Sequence, residues 1–254
     1  MASAENSSHN QIEGIASLPF VEQFIHIDKT ESTNLIARQV SIPGPDTYTV
    51  IWAETQTGGK GRRGKSFFSS HRGGLWASIL VPVTSLSSHF SVNRALSLAI
   101  CECLEKLYDI HSVKIKWPND IYIQDRKVCG VLLESMASEK PCVIAGFGIN
   151  VYIDKHDFPA SLRESATSVS QVSATTIPRH VLLEEILNSF HCIFKRKNEE
   201  VHNVYRQRLL CLHKHALVDG KKWYIQDVAS DGRLEVMAQD RTEYLHSGTL
   251  TFLP

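Results

Sequence analysis

Residues 56–65 read Gln-Thr-Gly-Gly-Lys-Gly-Arg-Arg-Gly-Lys, and no other stretch restricts the possible architecture as much. The interleaved glycines let a backbone come close to a ligand and present its N–H groups, while Lys60, Arg62, Arg63 and Lys65 surround that backbone with positive charge. The expected occupant is anionic, because arginine's planar fork matches phosphate and carboxylate oxygens. A nuclear-import or nucleic-acid patch has no need of such glycines. Gly59 through Ser66 fits the order of a P-loop, and Gly59 through Gly64 fits Gly-x-Gly-x-x-Gly. Both patterns work only where the loop opens a helix, whose N-terminus completes the phosphate cradle. Here Phe67 and Phe68 lead into a polar turn from Ser69 to Gly74, and Leu75-Trp-Ala-Ser-Ile-Leu-Val81 has strand composition. The loop therefore joins two strands, and its length suits a mobile lid.

Three further segments carry polar chemistry. Lys114-Ile-Lys-Trp-Pro-Asn-Asp120 ends an extended stretch, because the proline pushes Trp117 out of the helical region and two turn formers follow it. Ile121–Ile123, a turn at Gln124–Arg126 and Lys127–Glu134 then read as a hairpin with Lys127 at the mouth of its second strand. A lysine there is also ordinary edge protection, and Asn-Asp after proline an ordinary turn. Val143–Val151 is a strand whose Gly146 and Gly148 leave one face bare and whose apolar run is broken by Asn150. Near the start, Ser32, Thr33 and Asn34 precede an apolar run, where Ser32 or Thr33 would equally serve as a helix N-cap.

Taken in order, these segments resemble the biotin protein ligases, which attach biotin to carrier-protein lysines. The resemblance rests on Ser32-Thr33-Asn34, Gln56 through Gly64, Lys116 through Asp120, Lys127 with Gly130, and Gly146 through Asn150, and it runs from about Val21 to the C-terminus. Lys60 stands where many relatives have arginine and Phe67 where many have tryptophan, so charge and aromatic character survive. The resemblance implies an α+β fold, with a mixed, largely antiparallel sheet and packed helices, followed by a small SH3-like β-barrel. It implies ATP and biotin as ligands, Mg²⁺ accompanying the ATP, and a biotin carboxyl carrier domain as protein partner. Ser32, Thr33 and Gln56, with Asn34 beside them, would meet the ureido ring of biotin. Gly59, Lys60, Gly61 and Arg62 would fold over biotin as an ordering lid. Arg62, Arg63 and Lys127 would neutralise the biotin carboxylate and the α-phosphate, which repel each other as they approach. Phe67 and Trp117 are candidates for contacts near adenine, Asn119 and Asn150 for polar or magnesium-linked contacts, and Gly130 and Gly148 for close approach to the ligands. Asp120 would orient or deprotonate the acceptor lysine.

The rest of the chain bounds this reading. Twenty-seven acidic residues balance 27 basic ones, so no global field draws the chain to nucleic acid or membrane. Six cysteines include no Cys-x-x-Cys pair, and buried reduced thiols are expected. His213 and His215 have no partner cluster that would make them metal ligands. Residues 1–20 are expected to form a flexible tail, residues 21–212 the biotin- and ATP-binding domain and 213–254 the small C-terminal domain. Lys29 is the first basic residue, which excludes a secretory signal or an Arg-rich transit peptide and makes the cytoplasm the expected location. No winged-helix domain fits before Val21, so a ligase without repressor function is expected. Tyr48–Ala53 reads as a strand, Phe90–Tyr108 and Leu182–Phe194 as amphipathic helices, and the helical pattern continues in charged residues from Lys195 to Arg208. Strands are expected at His215–Gly220, Lys222–Val228, Gly232–Met237 and Tyr244–Phe252. Three other functions compete. A lipoate ligase would need an open apolar tunnel, a non-catalytic biotin-binding module would not need Lys127 and Asp120, and a nucleic-acid-binding protein fits poorly with neutral charge. Both a monomer and a homodimer are compatible with the sequence.

Overall fold

The computed structural model describes residues 13–40, 42–136, 140–238 and 241–253. A seven-stranded sheet in the order β1-β2-β3-β7-β6-β5-β4 forms the larger part. Its strands are β1 (Val21–Thr30), β2 (Tyr48–Gln56), β3 (Gly74–Pro82), β4 (Lys114–Lys116), β5 (Asp120–Ile123), β6 (Arg126–Met136) and β7 (Cys142–Asn150). Only β1 and β2 run parallel, as the mixed, largely antiparallel expectation requires. β1 is an edge strand whose buried and exposed positions do not alternate cleanly, and its sequence gives no clear strand signal. The Gln124-Asp125 turn between β5 and β6 has both residues at positive φ (48° and 62°), the geometry of a two-residue hairpin, and so Lys127 stands at the start of β6 as expected.

Both faces of the sheet are covered, which explains why β3 and β7 are apolar without alternation. On β2, Val50 and Trp52 join the main core while Ile51 faces a second cluster with Leu80, Ile144 and Ala37. Helix α1 (Thr33–Ala37) lies on that second face. The main face carries α2 (His89–Tyr108), buried around most of its circumference because α3 (Arg179–Phe194) covers its outer side. Each large apolar side chain buried there stabilises the fold by about 1.5–3 kcal/mol. The helical stretch after α3 breaks at residues 195–197, and α4 (Asn198–Arg208) is separate.

The C-terminal sheet is antiparallel, in the order β11-β10-β9-β8-β12, with β8 (His215–Val218), β9 (Lys221–Val228), β10 (Leu234–Ala238), β11 (Arg241–Leu245) and β12 (Leu250–Phe252). Its size and topology agree with an SH3-like unit. The expected last strand, Tyr244–Phe252, is in fact two strands separated by residues 246–249. Residues 1–12 of the expected tail lie outside the described residues, whereas 13–20 are anchored at two points: residues 13–16 are helical, Ile15 is fully buried and Phe20 nearly so. An isoleucine that reaches the main core outweighs the polar composition around it. All six cysteines are unpaired, five of them buried, while Cys192 is exposed on α3. Burial raises the thiol pKa of Cys101 to about 12.

Candidate active site

Antiparallel register lays out the site. Trp76, Gly148 and Gly130 form one row across β3, β7 and β6, and Ser78, Gly146 and Leu132 form the next. The glycines make room for side chains of this chain: a Cβ on Gly146 would lie 2.1 Å from Asn34 Oδ1, and one on Gly148 would lie 2.4 Å from the Phe67 ring. Asn34 and Phe67 thus settle on the sheet where backbone replaces side chain.

All of the candidate site residues except Gly59 and Asn150 line one cavity of ≈ 220 Å³. One end is lined by the neutral polar side chains of Ser32, Thr33, Asn34 and Gln56. Ser32, at the N-cap position of α1, makes no capping bond with its side chain. The Thr33 N–H and hydroxyl both donate to Gln56 Oε1, at 2.8 and 3.1 Å. Gln56 Oε1 is therefore used internally, and its amide NH₂ is what it can offer a ligand. Ser78 Oγ lies 2.7 Å from both Thr33 Oγ1 and Asn34 Oδ1, and its one proton serves one of them at a time. Asn34 Nδ2 donates to Glu134 Oε2 at 2.7 Å, and Arg38 holds the other oxygen at 2.9 Å. Burial pushes the Glu134 carboxyl up, but these two bonds outweigh it and hold the pKa below the ordinary value.

The other end is cationic. The loop from Gly59 to Phe67 folds back on itself through a Lys60–Ser66 bridge, with a short 3-10 turn at Arg62–Gly64. Gly59 itself is packed inside the loop, where its carbonyl accepts from the Phe67 N–H at 2.9 Å. Arg62 reaches over the cavity with Nη1 3.5 Å from Asn119 Oδ1. Burial and the neighbouring Arg63 charge both lower its pKa, so an incoming anion would be favoured there. Asn119 is anchored by its own amide, which donates to the Val131 carbonyl. Lys127 Nζ sits 2.6 Å from Asp120 Oδ1 and 5.5 Å over the Phe67 ring. Trp117 is 2% exposed, and its indole N–H donates to Gly232 O in the turn between β9 and β10, so only an edge of it meets the cavity. Asn150 donates from Nδ2 to Thr167 O and belongs to an adjoining hollow of ≈ 160 Å³ that shares Phe67 and Lys127 with the main cavity.

Several residues of the site were not singled out from the sequence. Ser78 lies beneath Thr33 and Asn34, and its signal is a lone hydroxyl in an otherwise continuous apolar strand. Glu134 gives no such signal. Gly248, Thr249 and Leu250 bring the C-terminal sheet into the cavity wall, at the break in the expected last strand. Arg63 binds Asp219 of the same sheet through both nitrogens of its fork, at 2.8 and 2.9 Å. Among the described residues no cluster of three or more His, Cys, Asp or Glu side chains could hold a metal ion, and no helix is long and apolar enough to cross a membrane.

A mixed sheet with a polar pocket closed by a glycine-arginine loop, and a small antiparallel sheet at its rim, defines the fold of the biotin protein ligases. The match to solved structures bears this out: the biotin protein ligase from Aquifex aeolicus in complex with biotin and ATP superposes with a TM-score of 0.76 at 24% identity, over 91% of this chain and 98% of that one. Residues 25–150 match the Biotin/lipoate A/B protein ligase family, and the chain belongs to it. The Bifunctional ligase/repressor BirA of Bacillus subtilis is 33% identical over 172 residues, which are 66% of this chain and 53% of that protein. The chain thus spans about half the length of such curated relatives. It spans 88% of the Biotin--[acetyl-CoA-carboxylase] ligase of Mycobacterium tuberculosis, at 26% identity over 241 residues.

Proposed function

We propose that this chain is an ATP-dependent biotin protein ligase that makes biotinyl-5′-AMP and then transfers biotin to a lysine of a biotin carboxyl carrier domain. The observation that carries the reading is the division of one cavity into an uncharged polar end and a cationic end. A ureido ring, with two donors and one acceptor, matches Ser32, Thr33 and the Gln56 amide. Lipoate has no group for that end to recognise. The carboxylate then lies toward Arg62 and Lys127, where the α-phosphate must also come.

In the first step a carboxylate oxygen attacks the α-phosphorus, the bond to pyrophosphate breaks, and pyrophosphate leaves with the electron pair. Arg62 and Lys127 reduce the repulsion between the two anions. The hollow beside Phe67 and Asn150 suits the adenine, since Trp117 is almost fully covered. Mg²⁺ would enter with the ATP phosphates, whose charge it would neutralise. Bound anions compete with Asp120 for Lys127, which frees the Asp120 carboxylate from its 2.6 Å ion pair. In the second step the acceptor amine, having lost its proton to Asp120, attacks the acyl carbon and AMP leaves. The lid shields the anhydride from water meanwhile.

The test is pyrophosphate exchange with ATP and biotin, repeated with lipoate, followed by transfer to a carrier domain. Exchange is expected with biotin alone, and biotin should then appear on the carrier lysine. Exchange with lipoate only would make the chain a lipoate ligase, and biotin binding without exchange would make it a non-catalytic module.

A further inference from the structure

We propose that Asp219, at the tip of the first hairpin of the C-terminal sheet, is a positioning residue that holds the lid by Arg63 and thereby sets Arg62 over the cavity. The proposal rests on the ligase reading of the cleft. Arg62 and Arg63 are adjacent, yet they have different partners. Arg63 has a left-handed backbone (φ 56°, ψ 34°), which is uncommon for a residue with a side chain and turns the two guanidinium groups apart. Arg62 forms no ion pair among the described residues, while the whole fork of Arg63 is committed to Asp219 and comes within 3.5 Å of Ser247 Oγ. The pair of arginines therefore divides the work: one is left for a ligand and the other anchors the loop.

The anchor is itself fixed. Asp219 and Gly220 both lie at positive φ, 49° and 82°, and form the two-residue turn between β8 and β9. Asp219 Oδ1 accepts the Thr249 N–H at 2.8 Å, and the Asp219 N–H donates to Thr249 O at 3.1 Å. Thr249 and its neighbours Gly248 and Leu250 also line the cavity. One side-chain pair thus joins the lid to the part of the cavity wall that the C-terminal sheet supplies. Both members are nearly half exposed, at 44% and 47%, so water and salt weaken the bond. That suits a lid, which must bias closure without preventing release.

The experiment uses Asp219→Asn, which keeps a favoured Asn-Gly turn and an acceptor for Thr249 but removes the charge. In ligand-free protein, trypsin cleavage after Lys60 and Lys65 should accelerate about two- to fivefold. The KM for biotin and ATP should rise by a similar factor, with kcat and the thermal midpoint little changed. Arg63→Gln should speed the ligand-free cleavage by the same factor, and the double variant should be cleaved no faster than Arg63→Gln alone. Added salt should speed lid cleavage in the parent protein and not in Asp219→Asn. Unchanged cleavage in Asp219→Asn, or penalties of the two substitutions that simply multiply, would overturn the proposal. The proteolysis needs no substrate: faster cleavage in a protein that shows no biotin-dependent exchange leaves the latch standing and removes the ligase reading, and the reverse result removes the latch alone.

Discussion

Lys127 and Asp120 neutralise each other at 2.6 Å, both a little under one-third exposed, so each substitution has two consequences. Lys127→Ala should leave the thermal midpoint nearly unchanged, because a partly exposed pair contributes about 0–1 kcal/mol. Biotin-dependent pyrophosphate exchange should nevertheless fall about a hundredfold or more, the usual loss when one donor facing developing charge is removed. Near-normal exchange would return Lys127 to the role of a strand-edge residue. Asp120→Asn should separate the half-reactions: adenylation should persist, since Lys127 remains free to meet anions, while transfer to the carrier lysine slows. The comparison is made by measuring adenylate formation and carrier biotinylation on the same preparation. Equal loss in both would deny Asp120 a role in the second step. Arg62→Gly is expected to loosen the adenylate, so that the protein labels itself and bystander proteins. Labelling confined to the carrier lysine would speak against retention by Arg62.

The strands β6 and β7 act through what they lack. Gly146→Ala would place a methyl group 2.1 Å from Asn34 Oδ1, against an amide already held by Glu134 and Ser78. Asn34 must move, and Thr33 beside it shares the Ser78 contact. The expected cost is about 1–3 kcal/mol of stability by overpacking, with the biotin KM rising more than the ATP KM; a parallel rise in both would contradict the assignment of the polar end to biotin. This element also shows what the sequence made legible. Two glycines in one strand announced a bare face, and the loop between β2 and β3 announced a cluster of cationic side chains at a cavity, because backbone freedom and charge are local properties. That Asn34 and Phe67 fill the bare face was not legible, since the contacts join residues far apart in the chain. The last strand failed for a similar reason. Tyr244–Phe252 has strand composition throughout, yet Asp219 captures the Thr249 backbone and the chain turns into the cavity wall there. β1 was missed because an edge strand need not alternate.

At the scale of the molecule, the two sheets share one core: Trp117, Trp223, Ile225 and Val236 belong to the same buried cluster as Val50 and Leu96. Polar ties run alongside it, from the Trp117 indole to Gly232 O at 3.0 Å and from the Arg206 fork to Asp227 at 2.6 and 2.5 Å. Calorimetry should therefore show one cooperative transition, and two resolved transitions would mean that the C-terminal sheet unfolds separately. The acid limb of that stability has an identifiable origin at the opposite end of the large sheet. Glu54 on β2 accepts from Arg179 of α3 at 2.7 Å and lies 2.8 Å from His26 Nε2 on β1, while Arg179 also donates to Gly74 O at 2.7 Å. Burial pushes the Glu54 carboxyl up, but the bonds and charges of His26 and Arg179 exceed it and bring the pKa from 4.5 to about 2. A carboxylate whose folded pKa is depressed binds fewer protons folded than unfolded. Its stabilisation is therefore complete above about pH 4.5 and is lost as pH falls toward 2, and it is on the order of 2 kcal/mol. Glu54→Gln should lower the unfolding free energy at pH 7 by roughly that amount and flatten its decline between pH 4.5 and 2, as followed by urea denaturation at a series of pH values. A variant whose acid limb stays parallel to that of the parent would show that other carboxylates set it.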